Sequence, residues 1–180
     1  MILKKADEKN MDSVKSLYER AFPDNERKPF GLILENRGRG LTDILALEDE
    51  ALGGDLKGIV ITINHKDMVL VDYFAVEDTC RGQGIGGKAI ELIREKYAKK
   101  RVFLEIELPG EGYENNAQRV RRKAFYLKNG LKESGIQVRV YGTDMELLTF
   151  GAPVSFEEYR EVFALAAGEG KKTFIEPEII

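Results

Sequence analysis

Apolar residues recur with two periods along this chain, and the switches between them outline its elements. A short extended stretch at Ile2–Lys5 is followed by Met11, Val14, Leu17, Tyr18, Ala21 and Phe22, spaced as one face of a helix behind Asn10 as N-cap, with Pro23 ending the run. The segment PDNERKPFGLILENRG reads as a loop and a short second helix. DILALE, LKGIVITIN and DMVLVDYFAV read as three strands, separated by turn-rich residues at 49–55 and 64–67. Connections this short do not make parallel crossovers, so an antiparallel meander is expected. Ile85, Ala89, Leu92 and Ile93 mark a helix over residues 84–98, and the alternating RVFLEIEL marks the next strand. Strand, helix and strand in succession predict a parallel pair with a crossover helix. Ala117, Val120, Ala124 and Leu127 mark another helix, closed by Asn129 and Gly130. Two further strands, at 136–141 and 145–150, precede a helix opened by a Ser155 to Glu158 capping box. The pattern predicts an α+β fold, with a mixed, mostly antiparallel central sheet and flanking helices, in a single domain over residues 1–180.

Composition narrows the class. Hydrophobic residues are 43% and charged residues 33% of the 180, which excludes a disordered chain and a membrane-spanning one. No apolar run approaches the ~18 residues of a span, and the start, MILKKADEKNMDS, lacks the apolar core of a secretion signal. A cytoplasmic protein without a membrane partner is expected. The net charge of −3 supplies no positive excess for a phosphate backbone, so nucleic acid is not an expected partner. One Cys (Cys80) and one His (His65) exclude disulfide frameworks, zinc fingers and HExxH proteases, and no metal cofactor is expected. Chemistry falls mainly to Asp, Glu, Tyr, Lys, Ser or Thr.

Four of the 18 glycines lie between residues 82 and 87, where the strand ending Phe74-Ala75-Val76 turns into a helix through Arg81-Gly82-Gln83-Gly84-Ile85-Gly86-Gly87. Without Cβ atoms, backbone N–H groups can converge, and the helix N-terminus adds roughly half a positive charge, so a phosphate or pyrophosphate is the natural guest. Three motifs compete for these residues. Gly82, Gly84 and Gly87 satisfy GxGxxG, with Glu105 eighteen residues on, but a dinucleotide fingerprint belongs to an early strand–helix–strand unit and here a meander precedes it. Gly82, Gly87 and Lys88 satisfy GxxxxGK, but Ala89 follows where a P-loop needs a hydroxyl for magnesium. The third reading is Arg81-x-x-Gly84-x-Gly86.

In that third reading, YFAVEDTCRGQGIGGKAIELI resembles the coenzyme A pyrophosphate motif of the GNAT superfamily of N-acetyltransferases. Ala124-Phe125-Tyr126-Leu127-Lys128-Asn129-Gly130-Leu131 resembles the family's second motif, an aromatic-Tyr pair four residues before a Gly. The resemblance covers residues 1–142; residues 143–180 form a C-terminal strand, helix and tail beyond it. Arg119 stands seven residues before Tyr126, where many members carry Asn, and Leu131 stands where an aromatic is common.

The resemblance implies an N-acetyltransferase using acetyl-CoA as co-substrate by direct transfer in a ternary complex, without metal or acyl-enzyme. It implies that the backbone of Phe74, Ala75 and Val76 pairs with the pantetheine arm, with the Val76 N–H polarising the thioester. Arg81, Gly82, Gln83, Gly84, Ile85, Gly86, Gly87 and Lys88 would hold the pyrophosphate. Tyr126 maps onto the acid that protonates the leaving thiolate, and Glu105 onto the base, with Glu107 and Asp72 as alternatives. Acceptors would be a small-molecule amine or a protein amino group; a homodimer is an alternative to the monomer. Glu107, Glu111 and Glu114 lean toward a cationic small amine.

Bland readings stand beside these. By alternation Glu105 and Glu107 share a strand face that could simply be solvated. Without the glycine run Tyr126 reads as a half-buried helix tyrosine; Cys80 reads as a small loop residue rather than an acyl-accepting nucleophile, and His65 as an exposed turn histidine. The cluster Arg119 to Lys123 reads as a charged helix face. The other functional classes are a non-catalytic acyl-CoA-binding module and a P-loop-like nucleotide-binding protein.

Overall fold

The computed structural model describes residues 1–24, 26–49, 53–167 and 176–180. Asn25 in the expected first loop, residues 50–52 in the expected turn and residues 168–175 of the expected tail lie outside the described residues. The chain divides into two compact units, Met1–Asn64 with Val71–Ala98, and His65–Leu70 with Lys99–Ile180.

The first unit contains strand β1 (Ile2–Lys5), helices α1 (Met11–Ala21) and α2 (Phe30–Gly38), and strands β2 (Thr42–Asp49) and β3 (Asp55–His65) up to Asn64. It continues with residues 71–76 of strand β4 (Met68–Val76) and helix α3 (Ile85–Lys96). The strand order is β1-β2-β3-β4. β1 and β2 are antiparallel, with Leu3 opposite Leu47, as are β2 and β3, with Ala46 opposite Ile59. Both faces of this sheet are covered, which is why ILAL and IVITI read as continuous apolar runs rather than alternating ones. Ile44, Ala46, Ile59, Ile61, Tyr73 and Ala75 pack with Val14, Leu17 and Tyr18 of α1 and with Phe30 and Ile33 of α2. Leu47 packs instead with Ile85 and Ala89 of α3 and with Cys80, joined by Phe74, Val76 and Leu92. Gly58 is required where it stands, since a Cβ there would lie 2.6 Å from the Ala75 carbonyl oxygen. Asn10 precedes α1 as expected but does not cap it with its side chain. Its Oδ1 accepts from the Asp7 N–H at 2.9 Å and its amide donates to Glu48 at 2.6 Å.

The second unit contains His65, residues 68–70 of β4, strand β5 (Arg101–Glu107), helix α4 (Asn116–Lys128), strands β6 (Lys132–Val140) and β7 (Thr143–Phe150), helix α5 (Phe156–Ala167) and strand β8 (Glu178–Ile179). Its order is β4-β5-β7-β6-β8. The expected parallel pair is β4 with β5, over Met68–Arg101, Val69–Val102 and Leu70–Phe103; the other described pairings are antiparallel. The Ser155 to Glu158 capping box forms, the Ser155 N–H donating to Glu158 Oε2 at 2.8 Å and the Glu158 N–H to Ser155 Oγ at 3.2 Å.

Two expectations shift in this unit. β6 begins at Lys132 rather than 136, because Gly135 (φ 81°) sits in a register break between Glu133 and Gln137 that lets the polar KES stretch join the strand. His65 is not an exposed turn residue. It ends β3 with a quarter of its side chain exposed, and its Nε2 lies 3.2 Å from Glu161 of α5. Among the described residues no helix is long and apolar enough to cross a membrane.

Candidate functional site

In the first unit, β4 delivers Phe74, Ala75 and Val76 to a turn of 3₁₀ helix at Asp78–Cys80, and the glycine loop follows. Gly82 (φ 75°) and Gly84 (φ 79°) are both left-handed, a conformation that costs other L-residues roughly 1–2 kcal/mol. A Cβ at either would meet no protein atom within 4 Å, so packing within the protein does not demand glycine there. Gly84 is the N-cap of α3 and offers no side chain, and Gly86 and Gly87 fill the first turn. Helices leave their first N–H groups without internal acceptors, so α3 presents bare amides at its positive end. Ile85 points inward, buried beside Ala89, Leu47 and Cys80, and anchors the loop to the core.

The side chains around the loop are polar and exposed. Gln83 donates to the Thr79 carbonyl at 2.8 Å. Arg81 pairs with Asp78 and Lys88 with Glu91, both at 2.7 Å. Exposed pairs of this kind hold their partners weakly, so both cations can turn to a ligand phosphate. Cys80 is buried, in keeping with a small loop residue. The described ladder from β4 to β5 ends at Leu70, before Phe74 to Val76.

The second unit carries the other candidates. Glu105 is half-buried on β5 opposite Leu147, with its Oε1 shielded from solvent. Tyr126 lies half-buried on α4 with the Phe125 ring centroid 5.2 Å away, and among the described residues its hydroxyl makes no hydrogen bond. Burial pushes the phenol up to about 12, partly offset by the positive charge of Arg122.

Two alternatives for the base are engaged elsewhere. Glu107 pairs with Arg119 at 2.8 Å and with Arg122 at 3.2 Å. Asp72, in the first unit, holds the Lys28 ammonium at 2.6 Å. The charged-face reading of residues 119–123 fails at both ends of the cluster. Arg119 is only 7% exposed, and donates to Asn115 Oδ1 at 2.8 Å and to the Leu108 carbonyl at 3.0 Å. Lys123 is drawn between Glu133 and Glu146; burial pulls its pKa down, but the two carboxylates outweigh that and raise it. Leu108 and Glu146 lie 11 and 23 residues from Arg119 and Lys123, and only an Arg or Lys beside apolar helix positions hinted at them.

No protein-family model matches the chain, and no curated protein matches it in sequence. Solved structures do. A Bacteroides thetaiotaomicron protein assigned to the GNAT-family acetyltransferases superposes with a TM-score of 0.71 at 20% identity, over 90% of this chain and 93% of its own. An aminoglycoside 6'-N-acetyltransferase complexed with coenzyme A gives 0.63 at 17% identity, over 86% and 100%. The ribosomal-protein-S18-alanine N-acetyltransferase from Escherichia coli gives 0.62 at 15% identity, over 96% and 98%. This chain therefore has the fold of the GNAT N-acetyltransferases.

Proposed function

We propose that the chain is an acetyl-CoA-dependent N-acetyltransferase that transfers acetyl to a primary amine by direct attack in a ternary complex, in the cytoplasm. The observation that carries this reading is the turn from β4 into α3. Two left-handed glycines and an uncapped helix N-terminus follow an inner strand, in a chain whose fold is that of the GNAT acetyltransferases. Converging amides at a helix start suit a pyrophosphate, and nothing in the protein's own packing at Gly82 or Gly84 explains the missing side chains.

In this proposal Arg81, Gly82, Gln83, Gly84, Ile85, Gly86, Gly87 and Lys88 hold the pyrophosphate of coenzyme A, and the backbone of Phe74, Ala75 and Val76 holds the pantetheine arm. The Val76 N–H polarises the thioester carbonyl. The amine nitrogen attacks the carbonyl carbon, the C–S bond breaks, and the thiolate takes the Tyr126 proton while the amine gives one up. Glu105 is the base on the strength of its place in the strand, which matches that of the base in the resembled family. At about 12 the Tyr126 phenol stays protonated throughout the working range; donation is favourable only to a thiolate desolvated to a similar degree. An aminoglycoside and a ribosomal-protein alanine are what the named neighbours acetylate, so the acceptor class proposed is an amine, small or on a protein.

Thermal denaturation with coenzyme A, and thiol release from acetyl-CoA across a panel of amines, test this reading. At 100 times its Kd a ligand adds ~2.7 kcal/mol, and a chain this size gains roughly 2–4 °C per kcal/mol, so a shift of several degrees is expected. Magnesium ATP should shift the midpoint less. A larger shift with ATP would favour a P-loop-like site, and stabilisation by acetyl-CoA with no thiol release on any amine would leave a binding module.

A further inference from the structure

We infer that Asp72 and the face of Tyr73 form a seat for the ammonium of the acceptor, and that the chain's own Lys28 fills this seat until a cationic substrate displaces it. Lys28 Nζ lies 2.8 Å from Asp72 Oδ1 and 2.6 Å from Oδ2, and 5.6 Å over the centroid of the Tyr73 ring. A carboxylate with both oxygens engaged, beside an aromatic face, is the chemistry that recognises a primary ammonium.

The pair is reachable, with 22% of the Lys28 side chain and 14% of the Asp72 side chain exposed. Exchanging one ammonium for another leaves no uncompensated charge behind, which is the costly outcome for a half-buried carboxylate. The backbone of Lys28 is held independently of its ammonium. The Tyr18 hydroxyl donates to the Lys28 carbonyl at 2.9 Å, the Lys28 N–H donates to the Tyr73 hydroxyl at 3.1 Å, and that hydroxyl donates to the Glu26 carbonyl at 3.1 Å. The side chain can therefore swing out by rotamer changes while the segment between α1 and α2 stays in place.

The position on β4 fits the role. Asp72 and Tyr73 immediately precede Phe74 on β4, Asp72 lying about 7 Å before Phe74 along the strand. An amine on Asp72 then sits next along β4 to the backbone proposed to hold the pantetheine arm, so the naming of the ammonium as an acceptor rests on the acetyl-transfer reading. The seat itself does not. A seat occupied by its resident lysine nine-tenths of the time lowers apparent affinity for a competing ammonium about tenfold.

The test is calorimetric binding of 1,4-diaminobutane to the full chain without acetyl-CoA, with 1,4-butanediol as the uncharged control. Lys28→Met is expected to bind the diamine roughly tenfold tighter than wild type, with no change for the diol. Adding Asp72→Asn to Lys28→Met is expected to abolish the gain. Urea unfolding reports whether each variant is folded; if Lys28→Met is not, Lys28→Gln, which keeps a hydrogen-bonding group near Asp72, is used in its place. Equal diamine affinity in the folded Lys28 variant and wild type overturns the inference, as does a gain that survives Asp72→Asn. Failure of the acetyl-transfer reading looks different: no thiol is released from acetyl-CoA on any amine, whichever way the diamine titration comes out.

Discussion

Arg119 lies over the Tyr113 ring, its guanidinium carbon 3.8 Å from the ring centroid, while its nitrogens bind Glu107, Asn115 Oδ1 and the Leu108 carbonyl. One buried side chain thus ties α4 to the end of β5 and to the loop between them. Its place in the sequence, seven residues before Tyr126, is where many members of the resembled family carry Asn.

Removing that guanidinium strands three acceptors at once. Arg119→Met is expected to lower stability by about 2–3 kcal/mol, below the ~3–5 of a fully buried pair because Glu107 is 24% exposed and keeps Arg122 as a partner. Arg119→Lys should fall between, since a lysine keeps the charge and loses the planar fork and the stack. Arg121→Met, on the exposed side of the same helix, should stay within about 0.5 kcal/mol. Urea midpoints of the three variants check this.

The contrast between Arg119 and Arg121 shows what the sequence could and could not carry. The core of β2 and β3 was readable because continuous apolar runs leave few alternatives, and the Ser155 to Glu158 box because both partners lie within one turn. The glycine loop was readable because four glycines in six residues are otherwise hard to account for. What stayed hidden depends on residues far apart along the chain: Lys28 on Asp72, His65 on Glu161, Arg101 on Asp67 and Glu158. β8 is two residues long and has no period to detect.

Gly84 offers a test free of clashes within the protein. An alanine there meets nothing within 4 Å, so Gly84→Ala should cost only the left-handed penalty, roughly 1–2 kcal/mol. Gly151→Ala is its control, with φ 77° and equally open space. Both should lose similar stability, while coenzyme A affinity falls tenfold or more in Gly84→Ala alone, about 1.4 kcal/mol. Titration of coenzyme A by calorimetry reads the difference, and parallel losses in both variants would place the cofactor elsewhere.

The Arg101 fork predicts an acid-side slope in stability. Arg101 donates to Glu158 at 2.7 and 2.8 Å and to Asp67 at 2.7 and 3.0 Å; its bonds to Glu158, with that of the Ser155 N–H, hold the Glu158 carboxyl down to about 2 against burial and the Asp67 charge. A depressed carboxylate stabilises the fold above its unfolded pKa of 4.5, and this contribution fades as pH falls from there through about 2. Glu158→Gln should therefore flatten the stability profile across that window and leave its shape near pH 7 unchanged. Unfolding midpoints measured between pH 2 and 7 provide the check; superimposable slopes would contradict the pairing.

Tyr126→Phe separates a catalyst from a binder. Among the described residues its hydroxyl makes no hydrogen bond, so deleting the oxygen should leave both stability and acetyl-CoA affinity near wild type. If the phenol protonates the thiolate, kcat should fall by roughly 10²-fold or more with KM for acetyl-CoA unchanged. The pH profile supplies a second check. Burial keeps the phenol protonated until about pH 12, so the wild-type rate should show no alkaline fall from Tyr126 below pH 10. The rising limb instead belongs to loss of the amine proton. Glu105→Gln should accordingly slow the reaction most at neutral pH and recover as pH rises, since a deprotonated amine needs no base. Cys80→Ala should keep the wild-type rate, because direct transfer forms no acyl-enzyme. With an acceptor in hand, a Tyr126→Phe protein that releases thiol at the wild-type rate under saturating amine would remove Tyr126 from the chemistry.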